Sequence, residues 1–172
     1  MMATFRPETE VCPACGLRGA CRIHAYYNRF IVDFVNGTQV TSVLRIMRVR
    51  CSCGNTHAIL PDPVIPYRFH SLFFILCVLT EYFRRKNVLR LCEKYLISVS
   101  QLYRWKKVFE LHRHEWLGVL KSSTSTPTSF ITELLRFSPF KDFAWSFFNL
   151  TAVSFLQSHR NPAGLRRNTS PP

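Results

Sequence analysis

The sequence predicts an α+β protein: a metal-pinned β-hairpin first, then an all-α bundle. Two observations carry this. Paired cysteines flank a stretch rich in aromatic and β-branched residues centred on Asn36-Gly37, and beyond Pro66 the apolar residues recur at helical spacing. The 172 residues are 47% hydrophobic and 14% aromatic, enough apolar material to build one medium domain or two small ones. This composition excludes a disordered polymer.

The first strand is expected over Arg22 to Val35 and its return over Val40 to Arg50, with Asn36-Gly37 as the turn. Pro61, Pro63 and Pro66 then read as a stiff connector. Apolar residues at 69, 73, 76, 79 and 83 predict a buried helix over Phe69 to Phe83. Asn87 is the expected N-cap of a second helix, with Val88, Leu91, Cys92 and Tyr95 on one face. A third starts after Ser98 and runs to about Leu120. The Ser/Thr-rich stretch after it reads as a linker, followed by the apolar run Phe130 to Phe137. A last helix follows, with Ser138 as N-cap and Pro139 at its first position.

Cys12-Pro-Ala-Cys15-Gly16 has the spacing of a zinc knuckle, in which two thiolates two residues apart wrap one ion. Cys51-Ser-Cys53-Gly54 offers a second pair across the hairpin. Cys12, Cys15, Cys51 and Cys53 would close a tetrahedral, structural Zn2+ site with no position left for substrate. The second pair is C-x-C rather than C-x-x-C, so Cys21, His24 and His57 stand as alternative ligands. Cys77 and Cys92 lie on apolar helix faces and read as core.

Leu91 to Lys107 reads as a helix-turn-helix, with a tight turn at Leu96-Ile97 and a Ser98/Gln101 capping box opening the second helix. Val99, Leu102 and Phe109, with one side of Tyr103 and Trp105, are expected inside. Ser100, Gln101, Arg104 and Lys107 are left outside to read bases in a major groove. Eight Lys or Arg against one acid between positions 84 and 107, Arg84 and Arg85 among them, suit phosphate contacts. Position 96 departs from the motif: such turns commonly use glycine, and this one has leucine.

The net charge of +13 favours a polyanionic partner. Double-stranded DNA is expected over RNA, because neither RNP nor GXXG motifs occur. The longest apolar run, Leu72 to Leu79, is too short to span a bilayer, so no membrane partner is expected. Residues 1 to 10 lack a secretory h-region, and paired cysteines without export suggest metal rather than disulfides. Both point to a cytoplasmic protein. The ten acidic residues form no convincing metal-binding catalytic cluster and no H-E-x-x-H occurs, so a non-catalytic protein is expected.

Together the Cys-Pro-x-Cys-Gly and Cys-x-Cys-Gly pairs, the Leu-Pro-Asp-Pro and Ile-Pro-Tyr phrases, the Ser-x-x-Leu-Tyr-Arg-Trp helix and the Ser-His-Arg-Asn-Pro phrase resemble an uncharacterised bacterial family. Its members are small zinc-ribbon, helix-turn-helix proteins associated with transposases and mobile elements, without an assigned activity. The resemblance implies a mobile-element context, with a transposase or integrase as a further partner. The domains expected are a zinc-ribbon-like module at 11–66, a helix-turn-helix module at 67–121, a linker at 122–129, an aromatic helical segment at 130–157 and a basic disordered tail at 158–172. The competing expectation is a zinc-ribbon interaction adaptor or transcriptional regulator. In that case the aromatic side chains between Phe140 and Phe148 would form a partner surface rather than core. Oligomeric state is not legible.

Overall fold

The computed structural model describes residues 6, 9–61, 63–85, 87–120, 126–136, 140–151 and 153–158. It is an α+β fold in the order β1 (Cys21–Val35), β2 (Thr38–Cys51), β3 (Thr56–Ile59), α1 (Leu72–Arg85), α2 (Val88–Tyr95), α3 (Val99–Leu120), α4 (Pro127–Arg136) and α5 (Phe140–Thr151). The three strands form one sheet in the order β1-β2-β3. Asn36 and Gly37 both take positive φ, as a two-residue type I′ hairpin turn requires, and join β1 to β2. β3 is a strand the sequence pattern does not announce. It pairs antiparallel with β2, Met47 opposite Ile59 and Arg50 opposite Thr56.

The chain divides into two compact units. The described parts of Met1–Arg29 and Val43–Pro61 make one; Phe30–Ser42 and the described parts of Asp62–His159 make the other. The division therefore crosses the hairpin instead of falling at Pro66. The first unit has a small core of Cys12, Cys21, Val49 and Cys51, with Ala20, Met47 and Ile59 packed on it.

The second unit is built around α1, which packs against α2, α3 and α4. Leu72, Phe74, Ile75, Leu76, Val78 and Leu79 of α1 are buried, whereas Phe69 and Phe73, expected inside, are exposed. The helix starts three residues later than its apolar pattern suggests, and the cause is a contact distant in sequence. His70 forms a parallel bridge with Val32, the Val32 amide donates to Phe69 O, and the Ser71 amide donates to Val32 O. Residues 69–71 are thereby held extended. Ser71 becomes the N-cap: its hydroxyl accepts from the Phe74 amide at 2.9 Å and donates to Asp33 Oδ1 at 3.0 Å.

Asn87 caps α2, its side chain accepting from the Arg90 amide, and Leu91, Cys92 and Tyr95 face the core. Cys77, read as core, is exposed, although its sulfur lies 3.3 Å from the Tyr95 hydroxyl. Tyr95 also donates to Glu81, which accepts from Lys94 at 2.6 Å and ties α2 to α1. Lys94 beside it holds the Glu81 carboxyl below the ordinary carboxylate range.

Pro127 opens α4, with the Thr126 hydroxyl accepting from the Ser129 amide, so the end of the expected linker is helix. The run from Phe130 lies on this helix, burying Phe130, Ile131 and Leu134. On α5, Phe147 is buried and Phe143 packs on the same core, stacked at 5.9 Å, while Phe148 is exposed. The expected cap at Ser138-Pro139, linker residues 122–125 and tail residues 159–172 lie outside the described residues. Among the described residues no helix is long and apolar enough to cross a membrane.

Candidate metal centre and basic helix

Two tight turns bring four sulfurs together. In the first, the Gly16 amide donates to Cys12 O at 2.8 Å and the Cys12 amide to Leu17 O at 3.0 Å. In the second, Cys51 is the last residue of β2, and the Gly54 amide donates to its carbonyl at 2.9 Å. The chain then returns as β3, with the Cys51 amide bonded to Asn55 O. Gly16 and Gly54 take φ of +76° and +89° with open space where a Cβ would stand. Glycine is needed there for backbone hand, not for room.

Cys12, Cys15, Cys51 and Cys53 form a group whose sulfurs all lie within 4.8 Å of one another. Cys12 and Cys53 are 3.8 Å apart, Cys15 and Cys51 3.6 Å. These are free thiols, far beyond the roughly 2.05 Å of a disulfide. A zinc–sulfur bond of about 2.3 Å gives a tetrahedron an edge of about 3.8 Å, so the four residues fit a zinc-sized cation.

The charge preferences within the group differ by position. The Cys53 thiol is pulled down to about 6, first by the Asn55 side-chain amide that donates to it at 3.4 Å and then by the Asn55 backbone N–H. Cys51 is lowered as well, first by the Cys53 backbone N–H. Cys15 is pushed up to about 12 despite a Leu17 backbone hydrogen bond, because burial and the neighbouring sulfurs oppose another negative charge. Cys51 and Cys53 of the second turn therefore favour the thiolate, and Cys15 of the first favours the thiol.

Of the three alternative ligands, Cys21 and His57 do approach the group: with Cys12 they form a second set within 4.8 Å. His24 is exposed on β1 and belongs to neither set. Glu10, a residue that sequence reasoning missed, lies 2.9 Å from His57 Nε2. Nothing in the spacing of residues 10 and 57 announces that pairing.

The residues singled out for nucleic acid lie on the helical unit. α2 is capped by Leu96, which is left-handed (φ 48°, ψ 45°). The Leu96 amide donates to Glu93 O and the Ile97 amide to Cys92 O, the Schellman pair of bonds. Leucine thus does here what glycine does more cheaply. Ser98 then caps α3, its hydroxyl accepting from the Gln101 amide at 3.1 Å. At about 100° per residue, Ser100, Arg104 and Lys107 fall within roughly 60° of each other, opposite Leu102, Trp105 and Phe109. The first three are exposed and the last three fully buried. Gln101 is half-buried at the edge of the strip. Val99, expected inside, and Tyr103, expected inside on one side, are exposed and flank it, and the inner face is filled by Leu102, Trp105 and Phe109. Arg84 and Arg85 are exposed in the last turn of α1.

Fold and site define a small α+β protein with a four-cysteine centre at one end of its sheet. The chain belongs to the family described as Domain of unknown function (DUF6431), whose profile matches residues 12–105, more than half of its length. No curated protein and no solved structure matches it. The family match opens on Cys12 and ends on Trp105, taking in all four cysteines, the sheet and the first turns of α3.

Proposed function

We propose that this is a non-catalytic, intracellular DNA-binding protein in which a structural Zn2+ on Cys12, Cys15, Cys51 and Cys53 holds a zinc-ribbon fold and α2–α3 act as a helix-turn-helix. One observation carries the reading: Ser100, Arg104 and Lys107 form an exposed strip on the first turns of α3, backed by buried Leu102, Trp105 and Phe109. A helix so anchored can present its N-terminal half to a major groove, and the tight left-handed turn before it suits the motif. Arg104 can bridge guanine O6 and N7, Gln101 adenine N6 and N7. Arg84 and Arg85, exposed in the last turn of α1, suit phosphates. Lys94 is already engaged by Glu81 and is left out of the interface. The +13 net charge supports the same partner.

The mobile-element role, as an accessory factor to a transposase or integrase, rests on the sequence resemblance alone. An adjacent integrase-like gene is the observation expected for it.

Binding of a labelled duplex, followed by anisotropy against salt, tests the reading. Each phosphate neutralised contributes about −0.9 to the slope of log K on log salt, so affinity should fall steeply. A flat profile would favour the second reading, a zinc-ribbon interaction adaptor. That reading has its own support in the exposed Ile23, Tyr26, Tyr27 and Phe30 along β1.

A further inference from the structure

Three ligand-type atoms beside the four-cysteine group are arranged as metal ligands usually are. Cys12 and Cys21 are each 1% exposed, and their sulfurs lie within 4.8 Å of each other and of a His57 ring nitrogen. Register fixes the histidine: His57 sits on β3 opposite Val49 of β2. Its Nε2 is held by Glu10 Oε1 at 2.9 Å. Its other nitrogen, Nδ1, is buried and has no hydrogen-bond partner among the described residues.

That combination is informative. A ring that donates from Nε2 to a carboxylate keeps its lone pair on Nδ1, and metal-bound histidines are commonly oriented by such a carboxylate. A buried ring nitrogen with nothing to bond is costly unless something occupies the place in front of it. The nearby sulfurs select for a zinc-like ion over calcium or magnesium.

We propose that Cys12, Cys21 and His57 Nδ1 form a second zinc site, with the Cys12 thiolate bridging the two ions and Glu10 orienting His57. The proposal rests on the tetrathiolate reading, since Cys12 is shared. Electrostatics support the pair. One Zn2+ on four thiolates leaves two net negative charges in a small core, and a second Zn2+ with one more thiolate leaves one. Three protein ligands do not fill a zinc tetrahedron, so the second ion keeps one position for water or a further sulfur and exchanges more readily than the first.

The test is native mass spectrometry of the full chain purified with zinc and dialysed, together with cadmium-113 NMR of the cadmium-exchanged protein. Wild type should carry two ions and give two resonances. His57→Gln and Cys21→Ser should each carry one and retain the tetrathiolate resonance. Glu10→Gln removes no ligand, and should weaken the second ion about tenfold to a hundredfold while leaving the first unchanged. Wild type with one ion, unaffected by His57→Gln or Cys21→Ser, overturns the second site and leaves the tetrathiolate standing. A single ion lost with Cys21 or His57 but kept in Cys53→Ser overturns both. Should either ligand variant fail to fold, the Glu10→Gln titration decides: equal affinity to wild type for the second equivalent overturns the site.

Discussion

Cys12 and Cys53 stand 41 positions apart in sequence and bring their sulfurs to 3.8 Å. The edge matches that of a zinc tetrathiolate, and Cys15 and Cys51 supply the opposite edge at 3.6 Å. Cys53→Ser should therefore lose the ion held by the four cysteines, measured as zinc per chain by elemental analysis. Full retention of zinc would move the fourth ligand to Cys21 or His57.

Leu96 spends about 1–2 kcal/mol in its left-handed conformation. It is 73% exposed, so little packing is lost with its side chain. Leu96→Gly should raise unfolding free energy by about 0.5–1 kcal/mol in urea titration, the gain being partly offset by glycine's freedom in the unfolded chain. A loss of stability would mean that the leucine side chain holds the turn.

Ser71 is fully buried and makes two bonds, one capping α1 and one to Asp33. Ser71→Ala should cost about 1–3 kcal/mol, since it removes the cap and leaves a carboxylate oxygen of Asp33 short of a donor. Thermal unfolding reads this directly, and a change below about 0.5 kcal/mol would contradict it.

His112 is buried on α3, its Nδ1 accepting from the Leu156 amide at 3.0 Å. Burial, and secondarily the Arg68 charge, pull its pKa down to about 4. The folded pKa is depressed, so the unfolded state binds the proton first. Stability from this group is full above about pH 6.5 and is lost as pH falls towards 4. The imidazole resonances should stay in the neutral position on titration to pH 5. Titration near the ordinary histidine value would contradict the buried hydrogen bond.

Legibility in the sequence followed the range of the interactions. Asn36-Gly37, the Asn87 and Ser98 caps and the two cysteine pairs are local signals, and each names its element. β3 is only four residues, Thr56–Ile59, and shows no alternation, so its pairing with β2 has no sequence mark. α1 starts later than its apolar pattern suggests because His70 bridges to Val32 and Ser71 bonds Asp33, each pair 38 positions apart in sequence. Thr126-Pro127 is a readable cap, hidden in a run whose composition signals a linker. Val99 and Tyr103 face outward because the inner face of α3 is filled by Leu102, Trp105 and Phe109, a choice among apolar residues that their spacing does not decide.

The central claim is that the first turns of α3 read DNA, and selection from a randomised duplex library with wild type, Arg104→Ala and Arg85→Ala tests it most directly. Arg104 lies on the exposed strip with Ser100 and Lys107, so Arg104→Ala should cost about 1–3 kcal/mol on the preferred site and relax discrimination at one base position. Arg85, exposed at the end of α1, should contact phosphate, so Arg85→Ala should weaken all sequences alike. Unchanged preference in Arg104→Ala with altered preference in Arg85→Ala would put a different helix in the groove, and no selection by wild type would contradict the claim outright.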